Sequence, residues 1–149
     1  MNNTDTPHSE MQRQVREFQW AMGQPVGLFP RALPPERHEV RVELIREEFE
    51  ELKQALLDNS MVEQVDACVD LLYVVLGTLV EMGVNVTPVF NEVQASNMSK
   101  FGADGKPLIA GPNDPDGVFP GRVKKGPDYF RPNLAEVLQS GVADLGRVQ

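Results

Sequence analysis

The sequence predicts an all-α fold: a helical bundle completed by dimerisation, followed by an irregular Gly/Pro-rich C-terminal tail. Three observations predict it. Up to Lys100, apolar residues recur at helical spacing in separate segments. Those segments are bounded by Gly23, Pro35, Ser60, Gly83 and Thr87-Pro88, residue types that start or stop helices. From 101 to 132 the chain turns to Gly, Pro and Asp and that spacing is lost. A length of 149 residues suits a single domain over 1–149, with a loose N-terminus (1–8), a helical core (9–100) and a tail (101–149).

The first helix is expected from Glu10 to Met22, with Met11, Val15, Phe18 and Met22 on one stripe. Four prolines between 24 and 35 make a loop, and Pro35 suits a first helical position. A second helix, about 35–57, carries Val42, Ile45, Phe49, Leu52 and Leu56 as its apolar stripe. Ser60 and Glu63 fit a capping box that opens a third helix, about 61–82. That helix is apolar nearly all round, which predicts burial at the centre of a bundle. A fourth helix, about 88–100, has Thr87 as its cap and Pro88 in its first position. In the tail, Asp104-Gly105 suits a hairpin turn and 133–140 a short helix. Four modest helices make a thin core, hence the expected dimer.

Composition excludes several classes. A formal net charge of −8 repels nucleic acid and anionic membranes, so neither is expected as a partner. Cys68 is the only cysteine, which removes internal disulfides and cysteine-based zinc sites, and its apolar surroundings predict burial. No apolar run reaches the length of a membrane span, and no secretory leader is seen, so a cytoplasmic location is expected.

The stretch REEFEEL, 46–52, places Glu47, Glu48, Glu50 and Glu51 around one phenylalanine. On a helical wheel Glu48 and Glu51 adjoin the apolar stripe, Glu47 lies farther round and Glu50 faces away. Glu63, Asp66 and Asp70 form a second acidic stripe on the apolar third helix, with Glu63 equally readable as the capping-box glutamate. Buried carboxylates persist only when paired or when they coordinate metal, and few basic residues lie nearby. If the two helices are antiparallel neighbours, the stripes face each other and offer oxygen donors suited to Mg²⁺ or Mn²⁺. A di-iron site would need Glu-x-x-His pairs, and neither His8 nor His38 supplies one. Hard cations in carboxylate cages usually serve phosphates.

Asn97 and Lys100 share a face of the fourth helix and suit a sugar hydroxyl and a phosphate. Lys124, Lys125 and Tyr129 add a basic and aromatic patch in a loop-rich region. NDPDG at 113–117 lacks the spacing of a calcium loop and reads as a turn. Trp20 lies opposite the first helix's apolar stripe. It suits stacking on a base and packing against a partner subunit equally, and Phe18 and Gln19 beside it are open in the same way.

Taken in order, E47-E48-F49-E50-E51-L52, E63-Q64-V65-D66 and D70-L71-L72-Y73 resemble the MazG-like all-α nucleoside triphosphate pyrophosphohydrolases, which include the dimeric dUTPases. SNMSKFGADGKP (96–107) and KGPDYFRP (125–132) are similar to the tail of one branch, and the resemblance covers roughly 35–132. It implies a homodimer, or a tetramer, that uses Mg²⁺ or Mn²⁺ to hydrolyse a nucleoside triphosphate to the monophosphate and pyrophosphate. It implies metal ligands at Glu48, Glu51, Glu63, Asp66 and Asp70. Glu47 and Glu48 are then the candidates for activating water, and Asn97, Lys100, Lys124, Lys125, Tyr129, Gln19 and Trp20 for binding substrate. Glu47/Glu50 satisfies the same acidic spacing, and Asp70 competes with Asp66 as principal ligand. The implied substrate is dUTP and the implied role nucleotide-pool housecleaning. Two alternatives stand beside this: phosphoribosyl-ATP pyrophosphohydrolase activity, and a non-catalytic acidic helical adaptor.

Overall fold

A computed structural model of the protein describes residues 8–143. The expectation of a loose N-terminus falls almost wholly on residues 1–7, outside those described. The described residues form five helices: α1 (Glu10–Ala21), α2 (Pro35–Leu57), α3 (Met61–Glu81), α4 (Val86–Met98) and α5 (Leu134–Ala143). The only β-pairing among the described residues is an isolated antiparallel bridge between Ile109 and Val123. The fold is all-α, and α2 packs along α3 as an antiparallel hairpin, with α1 across α3 and α5 against α4.

The boundaries follow local chemistry. The Ser9 hydroxyl accepts from the Gln12 amide at the start of α1, and the Ser60 hydroxyl from the Glu63 amide at the start of α3. Pro35 occupies the first turn of α2, where its missing N–H costs nothing. Asn59, at φ 52°, turns the chain between α2 and α3. The fourth helix starts earlier than expected: Asn85, not Thr87, is its cap, and its side chain accepts from the Thr87 amide at 3.1 Å. Gln12 of α1 adds a second cap there, its Oε1 accepting from the Val86 amide at 3.0 Å while its Nε2 donates to the Val84 carbonyl at 2.7 Å. Lys100 lies beyond the end of α4, in the following turn.

The proline-rich loop binds the far end of α3. The Gly27 amide donates to the Val80 carbonyl and the Arg31 amide to the Met82 carbonyl, satisfying acceptors that a helix end leaves open. Gly83 lets the loop pass. Its φ is +68°, and a Cβ there would stand 2.4 Å from the Phe29 carbonyl oxygen. Gly83→Ala is expected to cost at least about 2 kcal/mol, read as a lowered urea midpoint at unchanged slope. An unchanged midpoint would mean that the loop is not held there.

The core is small. Val15, Leu76 and Val80 form its centre, with Val26, Tyr73 and Val86 packed around them. The expected α1 stripe is corrected: Gln12, Val15 and Gln19 are the buried residues, while Met11, Phe18 and Met22 are exposed. The α2 stripe is rotated as well. Arg41 and Ala55 are buried, whereas Val42, Phe49 and Leu56 are exposed. The third helix is buried on one side rather than all round. Val62, Val65, Val69, Leu72 and Val75 face outward, and Cys68 is exposed, contrary to expectation. The reason is that, among the described residues, α1 and α2 supply the main cover of α3. Asp104-Gly105 does not turn the paired segment. It closes a tight loop in which the Gly102 amide donates to the Lys106 carbonyl, and the paired segment turns instead through 111–121. No single helix among the described residues is long and apolar enough to cross a membrane.

Candidate functional site

The site is built on the seam between α2 and α3. Gln64 Nε2 donates to the Ala55 carbonyl at 3.3 Å near the turn, and Arg37 and Arg41 meet Glu81 at the other end. This register brings Glu48 level with Asp70 and Glu51 level with Asp66. Half-buried Glu48 lies on the same α2 stripe as buried Arg41 and Ala55, so it faces α3. Burial, followed by the charges of Glu51, Asp70, Glu47 and Asp66, pushes the Glu48 carboxyl above its usual range. The structure thus gathers four of the acidic residues named from sequence around a fifth, Glu48. Glu63 is exposed and its amide completes the Ser60 cap. Glu50 pairs with Lys53 at 2.7 Å and takes no part in the group.

None of the ion pairs among the described residues involves Glu47, Glu48, Glu51, Glu63, Asp66 or Asp70. Among those residues no three carboxylates converge closely enough to hold an ion by themselves. The group is therefore an open acidic seam without a salt bridge, touched by basic charge only where Arg46, paired to Glu43, lies near Glu47, and not a closed protein cage.

The opposite end of the seam is compensated. Glu81 is buried, and it accepts from Arg37 Nε and Arg41 Nε at 2.6 Å each. Burial alone would raise its pKa, but the two guanidinium hydrogen bonds and charges outweigh that and hold it below the usual range. Beside Arg41 a cleft of about 310 Å³ opens between α1, α2 and α3, lined by Phe18, Gln19, Leu44, Tyr73, Val74 and Gly77 among others. Phe18 and Tyr73 meet edge to face, 5.7 Å between centroids. Leu44 lies one helical turn from Glu48, and Val74 one turn from Asp70, so this cleft and the acidic seam adjoin along both helices, roughly 6 Å apart. Of the two α1 candidates, Gln19 lines this cleft. Trp20 is 74% exposed and does not. Arg41 and Glu81 were missed in sequence. The available signal was an Arg-x-x-x-Arg spacing opposite a lone glutamate in an apolar run.

The remaining candidates gather elsewhere. Lys100, Lys124 and Lys125 line a second cleft with Arg122 and Asp116. Ser96 donates to the Phe130 carbonyl and Gly126 to the Lys100 carbonyl, which docks the tail on α4. Asn97 accepts from Lys100 at 2.7 Å. Lys125 sits 4.6 Å from the Tyr129 ring centroid. Lys124 is engaged by Asp114 at 2.8 Å and Asp116 at 2.7 Å, and its hydrogen bond and charge hold Asp114 below its usual range. NDPDG is a turn, as expected, and its cation is the lysine. This basic cleft is built on α4 and the tail, not on the α2–α3 seam.

A family model described as phosphoribosyl-ATP pyrophosphohydrolase matches residues 15–97, more than half of the chain. The chain belongs to that family, within the MazG-like all-α nucleoside triphosphate pyrophosphohydrolase superfamily. It is 37% identical over 76 residues to uncharacterized protein L479 of Acanthamoeba polyphaga mimivirus, a match that takes in 48% of this chain and 30% of that protein. The chain thus matches less than a third of the length of that curated relative. A crystal structure of a candidate NTP pyrophosphohydrolase from Exiguobacterium sp. 255-15 is similar at a TM-score of 0.44 and 22% identity, covering 94% of this chain and 98% of that one.

Proposed function

We propose that the protein hydrolyses a nucleoside triphosphate to the monophosphate and pyrophosphate, using Mg²⁺ or Mn²⁺, with dUTP preferred. The observation that carries this reading is the acidic seam, unbridged by any salt bridge among the described residues, one helical turn from an aromatic cleft. A nucleotide has the same two parts, an aromatic base and a phosphate chain that needs cations beside carboxylates. That no three carboxylates converge fits Mg²⁺, which is ordinarily held by one or two carboxylates, waters and substrate phosphates.

In this reading Glu48, Glu51, Asp66 and Asp70 hold the ions, with Glu63 at the exposed end of the same stripe. Bound ions would neutralise phosphate charge and lower the pKa of water. Glu47 or Glu48 takes the proton of the attacking water. Gln19 meets the base. Asn97, Lys100, Lys125 and Tyr129 are placed on the α4–tail body, and meet the substrate if that body or a partner subunit's copy closes over the seam. Lys124 would first have to leave its two aspartates, and Trp20 is free to stack or to pack at a subunit contact. The outward apolar face of α3 supports assembly as a homodimer, with a tetramer as the alternative. A cytoplasmic housecleaning role goes with this substrate class.

The test is pyrophosphate release from a panel of NTPs and dNTPs with Mg²⁺, Mn²⁺ or EDTA. Metal-dependent release led by dUTP is expected. Equal turnover of all dNTPs would remove the dUTP preference, and no release from any would favour the acidic adaptor. Phosphoribosyl-ATP belongs on the panel because the matching family model carries that name; its preferential hydrolysis would replace dUTP as substrate.

A further inference from the structure

Arg41 is an arginine buried to 94% that lines an open cleft, and its surroundings dictate what it presents there. Its Nε is spent on Glu81 at 2.6 Å. Glu81 also accepts from Arg37, so one buried carboxylate serves two guanidiniums and the trio keeps a net positive charge. Arg41 Nη1 is directed at α3, 3.1 Å from the point where a Cβ on residue 77 would stand. Gln19 Oε1 lies 2.6 Å from the same point. Only a glycine at 77 lets both atoms approach this closely, since any Cβ would collide with Gln19 Oε1. The Gln19 amide is oriented as well: its Nε2 donates to the Pro25 carbonyl at 2.8 Å, which leaves Oε1, beside Gly77, as its uncommitted atom. A donor and an acceptor thus stand against the same glycine, on residues that line the cleft together with the Phe18–Tyr73 pair, Leu44 and Val74.

We propose that Arg41 is a specificity-determining residue that, with Gln19, reads the imide edge of a keto pyrimidine, and that Glu81 is the positioning residue which aims it. The inference rests on the nucleotide reading above. A guanidinium only donates, and an amide with its nitrogen engaged only accepts. The matching base edge has an acceptor beside a donor. Uracil has a carbonyl on each side of its N3–H, so it satisfies the pair whichever way the ring enters. Cytosine satisfies it in one orientation only, and in the other it sets its amino group against a permanent cation. Sites that leave a buried polar group unpaired discriminate strongly.

The test compares hydrolysis and binding. In hydrolysis, Arg41→Lys keeps a cation for Glu81 but loses the fork. The dUTP-to-dCTP ratio of kcat/KM is expected to fall about tenfold or more, and Glu81→Gln to raise KM for dUTP more than it lowers kcat. An unchanged ratio in Arg41→Lys, or an equal loss on every base, would overturn the proposal. The binding arm uses the unaltered protein without metal, titrated calorimetrically with dUMP, dCMP and N3-methyl-dUMP. dUMP is expected to bind about tenfold tighter than either, and equal binding of all three overturns the proposal even if the variants fail to fold. Selective dUMP binding that Arg41→Lys abolishes, in a protein that hydrolyses no nucleotide, would refute the enzymatic reading and leave this inference standing. Hydrolysis with a base preference indifferent to Arg41→Lys would do the reverse.

Discussion

Glu81→Ala is expected to cost about 3–5 kcal/mol, enough to lower the melting temperature by roughly 10–15 °C. The Glu81 side chain is 2% exposed and that of Arg41 7%, so truncation strands a largely buried guanidinium without its partner. Arg37, at 21%, turns to solvent more easily and contributes less. A pH series separates this ion pair from simple packing. The folded pKa of Glu81 is held below that of the unfolded chain. Its stabilisation is then fully present above about pH 4.3 and is lost as pH falls through the lower folded value. The gap between the unaltered protein and Glu81→Gln is expected to be widest near neutrality and to close in acid. A gap of constant size from pH 7 to 3 would mean that shape, not charge, holds this end of the hairpin.

Why that cluster escaped the sequence shows how far patterning reaches. Helix spacing and caps located α1, α2 and α3 to within a residue or so, because Gly23, Pro35, Ser60 and Gly83 act locally. Faces were less legible. Met11, Phe18 and Met22 repeat as a core stripe should, yet the buried face of α1 is Gln12, Val15 and Gln19. Both glutamines spend their amides on backbone groups far along the chain or around the next loop, and nothing local encodes such partners. The same applies to Cys68 and the outward valines of α3: apolar content predicted burial, but nothing among the described residues lies over them. The acidic seam was the most legible part of the site. Its residues had only to share a stripe on each of two helices joined by a short turn, and hairpin geometry then brought them together. The α4–tail cleft was legible in membership, since Lys100, Lys124 and Lys125 do converge. Its separation from the seam was not, because that depends on the 115° bend between α3 and α4.

The α2–α3 hairpin therefore carries opposite electrostatics at its two ends. Near the α3 C-terminus a buried carboxylate is over-supplied with cations. Near the turn, carboxylates crowd one another with no salt bridge among the described residues to meet them. A fold gains nothing in stability from the second arrangement, since like charges on neighbouring turns cost a few tenths of a kcal/mol per pair. Such a cost is what a site for an external cation leaves in the metal-free protein.

Glu48→Gln is expected to abolish pyrophosphate release, by about 10²-fold or more, while leaving the metal-free protein as stable as before or slightly more so near pH 7. The sign follows from the raised pKa. A carboxyl whose folded pKa lies above its unfolded value favours folding when protonated, and that contribution is lost as pH rises through the folded value. At neutral pH ionised Glu48 opposes folding, and the uncharged amide removes the opposition. Metal reverses the order. Mg²⁺ or Mn²⁺ at a hundred times its dissociation constant stabilises a native site by about 2.7 kcal/mol, or roughly 5–10 °C here. That increment is expected in the unaltered protein and absent from Glu48→Gln. The crossing of the two melting curves on adding metal is the decisive sign, because a merely structural glutamate would lower stability with and without the ion. Were Glu48→Gln destabilised in EDTA and the metal increment intact, the seam would be a solvated helix face, and the adaptor reading would take the place of the enzyme.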